Sequence, residues 1–204
     1  MKTFILFFGL SFLLSCSIPY PKRSTGSALE ITEINPNQRT ALTKHNMLNL
    51  IKDYNLEPFL YTKIINIQSR VIPHSHPILT LNTRTAEFPE KILSSWLHEE
   101  FHWWEEMNQV NSKKAIADFK MMYPVLPQTG GAKDEYSTYL HLSVCFLEFK
   151  ALSHFLGEKS AREILKETAE VDHIYTWIYT QILEKTTDIE AVVIKNNLLP
   201  PELK

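Results

Sequence analysis

Hydrophobic positions along this chain fall into three regimes. From Thr3 to Ser15 the residues are uncharged and mostly apolar, behind a lone Lys2. Such a core falls short of the roughly 18 residues a spanning helix needs, so it predicts a removable leader over residues 1–15. From Ser17 to about Arg39 apolar periodicity fades and Pro, Ser, Thr and Asn take over, which predicts a flexible tether over 16–39. A folded domain is expected over 40–204.

Within that domain helical spacing dominates. Leu42, Met47, Leu48, Leu50 and Ile51 recur at helical intervals between Thr40 and Tyr54. Ile64, Ile65 and Ile67, and then Leu79 and Leu81 among threonines, predict two strands over 61–68 and 78–83. The segment Pro73-His74-Ser75-His76-Pro77 between them has turn composition, so both histidines are expected to be turn residues. Pro89 and Glu90 open a helix running to about Val110, and Ser112 is expected to cap a short successor. After Gly130-Gly131, Asp134 caps a long, mostly buried helix that Gly157 ends. Ser160 with Glu163, and Thr187 with Glu190, fit capping boxes, while Asp172 fits the cap of a helix from His173 to Glu184. The expected fold class is α+β and mostly helical: a small antiparallel sheet packed beside one prominent helix, followed by a helical C-terminal half.

Composition narrows the function classes. The 204 residues are 44% hydrophobic and 22% charged, ordinary for a globular chain, and the net charge of -2 offers no basic field to gather a polyanion. No nucleic-acid partner is expected. Of the two cysteines, Cys16 closes the leader and Cys145 sits in an apolar run, where it is expected to behave as a small hydrophobe.

The chemistry concentrates in His98-Glu99-Glu100-Phe101-His102, on the helix after Pro89. Four residues of helix turn slightly more than once, so His98 and His102 project from one face and can converge on one cation. Neutral imidazoles suit zinc. Glu99, about 100 degrees round from His98, stands where a carboxylate can take a proton from a zinc-activated water and return it to a leaving amine. Glu100 adds a second carboxylate that must face solvent or pair with a cation.

A catalytic zinc needs a third protein ligand and an open fourth position. Glu135, His141, Glu148, His154 and His173 follow downstream. Glu148 is favoured, because a carboxylate in an apolar helical stretch needs a partner that a cation would supply. His141 is the alternative. The two lie seven residues apart on one helix face, about 10.5 Å along the axis, so one is expected to ligate and the other to line the cleft.

With His98, Glu99, His102 and Glu148 in place, the sequence resembles the gluzincin zinc metallopeptidases, in which a glutamate from a second helix completes an HExxH site. The resemblance implies a hydrolase of peptide bonds with zinc as cofactor and a peptide or protein as substrate. It implies that the strand over 78–83 lies along the cleft and pairs with an extended substrate. It also implies an oxyanion stabiliser from a later segment, for which His173, followed by Tyr175 and Tyr179, fits in order and type. The acidic group common one turn past the third ligand is replaced here by Leu152.

The run Leu13-Leu14-Ser15-Cys16 resembles a bacterial lipoprotein signal. That resemblance implies lipidation at Cys16 and a membrane partner reached through the lipid anchor. The location it implies is the cell envelope, in the outer membrane if the cell is Gram-negative; a secreted protein cut near the same place is the alternative. Two function classes follow: a membrane-tethered zinc metallopeptidase working outside the cytoplasm, and a non-catalytic metal-binding envelope lipoprotein whose site is closed by a fourth protein ligand.

Overall fold

The computed structural model describes residues 29–171 and 175–204. In chain order it contains β1 (Glu30–Ile34), α1 (Gln38–Tyr54), β2 (Ile64–Gln68), β3 (Leu79–Leu81), α2 (Pro89–Met107), α3 (Gln109–Met122), α4 (Glu135–Leu156), α5 (Glu158–Val171), α6 (Thr176–Glu184) and α7 (Thr186–Lys195). The fold is α+β and mostly helical, as the spacing predicts. The leader, including Cys16, and His173 lie outside the described residues.

The sheet departs from expectation in strand number and direction. Its order is β1-β2-β3, and both pairings are parallel, not antiparallel. The reason lies in the connection from Gln68 to Leu79. Its ten residues can extend to about 33 Å, well beyond the roughly 17 Å of a five-residue strand, so the chain travels back before β3 starts. Strand β1 falls inside the stretch expected to be a tether, and pairs with β2 from Glu30↔Ile64 to Ile34↔Gln68. Among its residues only Ile31 is buried, so the alternation that marks a strand is faint there.

Helix α1 crosses between β1 and β2 and opens with a capping box. Asn37 Oδ1 accepts the Arg39 and Thr40 amides, while Thr40 Oγ1 accepts the Asn37 amide at 2.8 Å. Arg39 then ties α1 to the segment after β3, its Nε and Nη2 donating to Thr83 O at 3.1 and 2.8 Å.

Helix α4 is the centre of the molecule. It is apolar nearly all round and packs against α2, α3, α5 and α6, as a helix without a polar face must. Asp134 Oδ1 accepts the Ser137 amide at 2.7 Å, and Gly157, at φ +83°, ends the helix. Three other expected caps shift, and Asp172 lies outside the described residues. Helix α3 starts at Gln109, leaving Ser112 buried inside it with its hydroxyl on Glu105 O at 3.2 Å. Ser160 lies within α5 and Thr187 within α7, so neither opens a helix.

The start of α6 is seated on the loop before α4. Trp177 N–H donates to Gly130 O at 2.8 Å, with Gly130 at φ +81°. Farther on, Trp104 Nε1 of α2 donates to Leu198 O at 2.7 Å, which fixes the C-terminal segment against the HExxH helix.

Candidate metal centre

Pro89 starts α2 with its φ already helical and no amide to satisfy, and Glu90 sits in the positive first turn. Roughly two and a half and three and a half turns on, His98 and His102 face α4, where His141 meets them. Ring centroids are 5.1 Å apart for His98 and His102, 5.5 Å for His98 and His141, and 4.9 Å for His102 and His141. One nitrogen from each of the three lies within 4.8 Å of the others.

Two of these rings have their tautomer set. His98 Nδ1–H donates to Glu148 Oε2 at 3.0 Å, and His141 Nδ1–H donates to Ser137 O at 2.6 Å. Each is left with Nε2 for a cation. Burial and the neighbouring His98 push the His102 imidazole well below its ordinary pKa and that of His141 down to about 3. Both are therefore neutral at physiological pH, the form that ligates.

Glu148, expected as the third ligand, stands on the far side of His98. Ser94 Oγ donates to its Oε1 at 2.5 Å, and Tyr179 OH to its Oε2 at 3.3 Å. The need for a partner that a buried carboxylate creates is met here by an imidazole N–H and two hydroxyls. Its donor set is His98, Cys145 and Glu148, which does not include His102. His98 is held well above its ordinary pKa: burial opposes its charge, but Cys145, 3.9 Å away, and Glu148 outweigh it.

Glu99 is buried beside the histidines. Burial raises its pKa, while His98 and then His74 work against the rise, so its carboxyl holds a proton more readily than an exposed one. Glu100 neither faces solvent nor relies on a cation: its Oε2 accepts the Tyr61 and Thr62 amides at 2.8 and 3.0 Å, and burial pushes its pKa up to about 8. Glu105 is buried as well. It faces the Ser143 hydroxyl without a well-formed hydrogen bond, and burial drives its pKa well above the usual carboxylate range.

Two groups near the site carry more than the sequence assigned them. The 73–77 segment, expected to be a plain turn, docks on α2: Trp103 Nε1 donates to Ser75 O at 3.0 Å, and the His76 ring stacks on Trp103 at 4.2 Å. Its two prolines and two histidines were the available signal. On the opposite wall, the Tyr175 ring stacks on His141 at 4.5 Å and on His98 at 5.6 Å.

Comparison of the chain with protein-family models, curated proteins and solved structures finds no match in any of the three.

Proposed function

We propose that this chain is a zinc-dependent metallopeptidase in which His98, His102 and His141 hold the metal and Glu99 is the general base. The observation that carries this reading is the convergence of three imidazoles, two with Nδ1 tied back, beside a buried carboxylate. The donor chemistry fits zinc: three nitrogens and no fourth protein donor among that set, which leaves a position for water. Zinc bound there would supply Lewis-acid polarisation of the scissile carbonyl and a lowered water pKa.

The chain's own residues do the rest. Glu99, adjacent to His98 and with a raised proton affinity, accepts the proton of the attacking water and delivers it to the leaving amine. Glu148 orients the His98 ring and strengthens it as a ligand, a carboxylate–histidine arrangement stabilised in turn by Ser94 and Tyr179. Tyr175, stacked across two of the imidazoles, takes the oxyanion-stabilising role for which His173 fits in order and residue type. Lipidation at Cys16, the membrane partner and the envelope location are supported by the sequence alone.

The test is zinc content and hydrolysis of a pool of peptides of mixed length, measured together for wild type and Glu99→Gln. The expected result is stoichiometric zinc in both, with activity reduced about 10²–10⁴-fold in the variant. Full activity in Glu99→Gln would remove the peptidase reading. A second reading, metal retention without turnover, is favoured by the other donor set, His98, Cys145 and Glu148, all three of which are buried.

A further inference from the structure

Strand β3 lies at the edge of the sheet and directly precedes α2, so its free side is where an extended substrate backbone would add as a further strand. Here that edge is taken by the chain itself. Thr80, whose backbone groups point away from β2, donates to His74 O at 2.8 Å and accepts from His74 N at 3.1 Å. The neighbouring Ile78 carbonyl accepts the Thr80 hydroxyl at 3.0 Å.

The added segment presents a broken edge of its own. With both backbone groups of His74 on Thr80, the groups that face outward belong to Pro73 and Ser75. Pro73 has no N–H, and the Ser75 carbonyl is occupied by Trp103 Nε1 at 3.0 Å. Proline and a used carbonyl are devices that stop strand addition.

The segment is also fastened directly over the chemistry. Glu99, Trp103 and Glu106 share one face of α2 at i, i+4 and i+7. His76 stacks on the second of these and its Nε2 lies 2.5 Å from Glu106 Oε2. His74 Nδ1–H donates to Ile72 O at 2.9 Å, so its ring is oriented as well.

We propose that residues 73–77 occupy the place of an extended substrate strand, so that the site acts on compact amides, peptides of two or three residues, and not on internal bonds of unfolded polypeptide. This rests on the hydrolase reading above.

The experiment uses the zinc-loaded full chain with pooled peptides of two, three, six and ten residues and with unfolded casein, products being read by mass spectrometry. Expected are cleavage of the two- and three-residue pools and at least tenfold lower kcat/KM for six residues and beyond. Trp103→Phe keeps an aromatic ring beside His76 and removes the N–H that holds Ser75. It is expected to raise kcat/KM on ten-residue peptides at least threefold, while two-residue turnover stays within about twofold. A wild-type chain that cuts ten-residue peptides or casein internally as fast as tripeptides overturns the proposal and leaves the hydrolase reading standing. A chain that cuts no pool at all overturns both.

Discussion

His98 has a different neighbourhood on each side of its ring. Toward His102 and His141 it meets neutral imidazoles with lowered proton affinity, a wall of Tyr175, and the buried Glu99. Toward Glu148 it meets a carboxylate whose oxygens are taken by Ser94, Tyr179 and His98 itself, with Cys145 alongside. Both sides bring three donor atoms within 4.8 Å, yet only the first retains nitrogens not engaged elsewhere. A ligand set is therefore recognised by which lone pairs are left over, not by residue type.

That contrast is open to attack by mutation. His141→Ala is expected to have the largest effect, abolishing stoichiometric zinc in dialysed protein, since two imidazoles do not make a tight site. Glu148→Gln should weaken zinc about 10–100-fold while leaving it measurable at saturating metal, as befits a group that orients a ligand. Zinc lost entirely from Glu148→Gln and retained by His141→Ala would exchange the roles of the two sides. Cys145→Ser should shift zinc affinity least of the three, because the thiol only flanks His98; isothermal titration ranks them.

The smallest expected effect concerns Glu105, which lies off both sides. Its folded-state pKa is raised well above the ordinary 4.5 by burial, so the folded chain keeps this proton where the unfolded chain has lost it. Stability is full below pH 4.5 and falls as pH rises through the window up to the folded pKa, by at most about 1.4 kcal/mol per pH unit. Glu105→Gln should flatten this slope in urea titrations of the zinc-free chain. An unchanged slope in that variant would assign the pH dependence to another group.

Much of the helical framework is legible in the chain: Asp134 and Gly157 bracket α4, and Pro89 starts α2, because caps and breakers act locally. The parallel sheet is not legible. Leu79 and Leu81 alternate in the same way whichever direction their neighbour runs, and β1 buries only Ile31. At the site, the spacing of His98 and His102 is local geometry and survives intact. The choice between His141 and Glu148 is not local. Two helical turns apart on α4, they reach opposite sides of one ring, and the hydroxyls of Ser94 and Tyr179 that satisfy Glu148 lie 54 and 31 residues away in sequence. Nothing in the apolar run around Glu148 announces them.

Gly130 carries a consequence for how this site tolerates change. A methyl group on its α-carbon would come within 3.0 Å of the Trp177 amide nitrogen and 3.3 Å of its Cβ, in a backbone conformation that side chains rarely adopt. The aromatic lid over the imidazoles therefore hangs from a position that is neither charged nor among the grouped donors. Exchanging the lid's chemistry is a matter of residue 175; keeping its height above the imidazoles is a matter of a single hydrogen atom at residue 130.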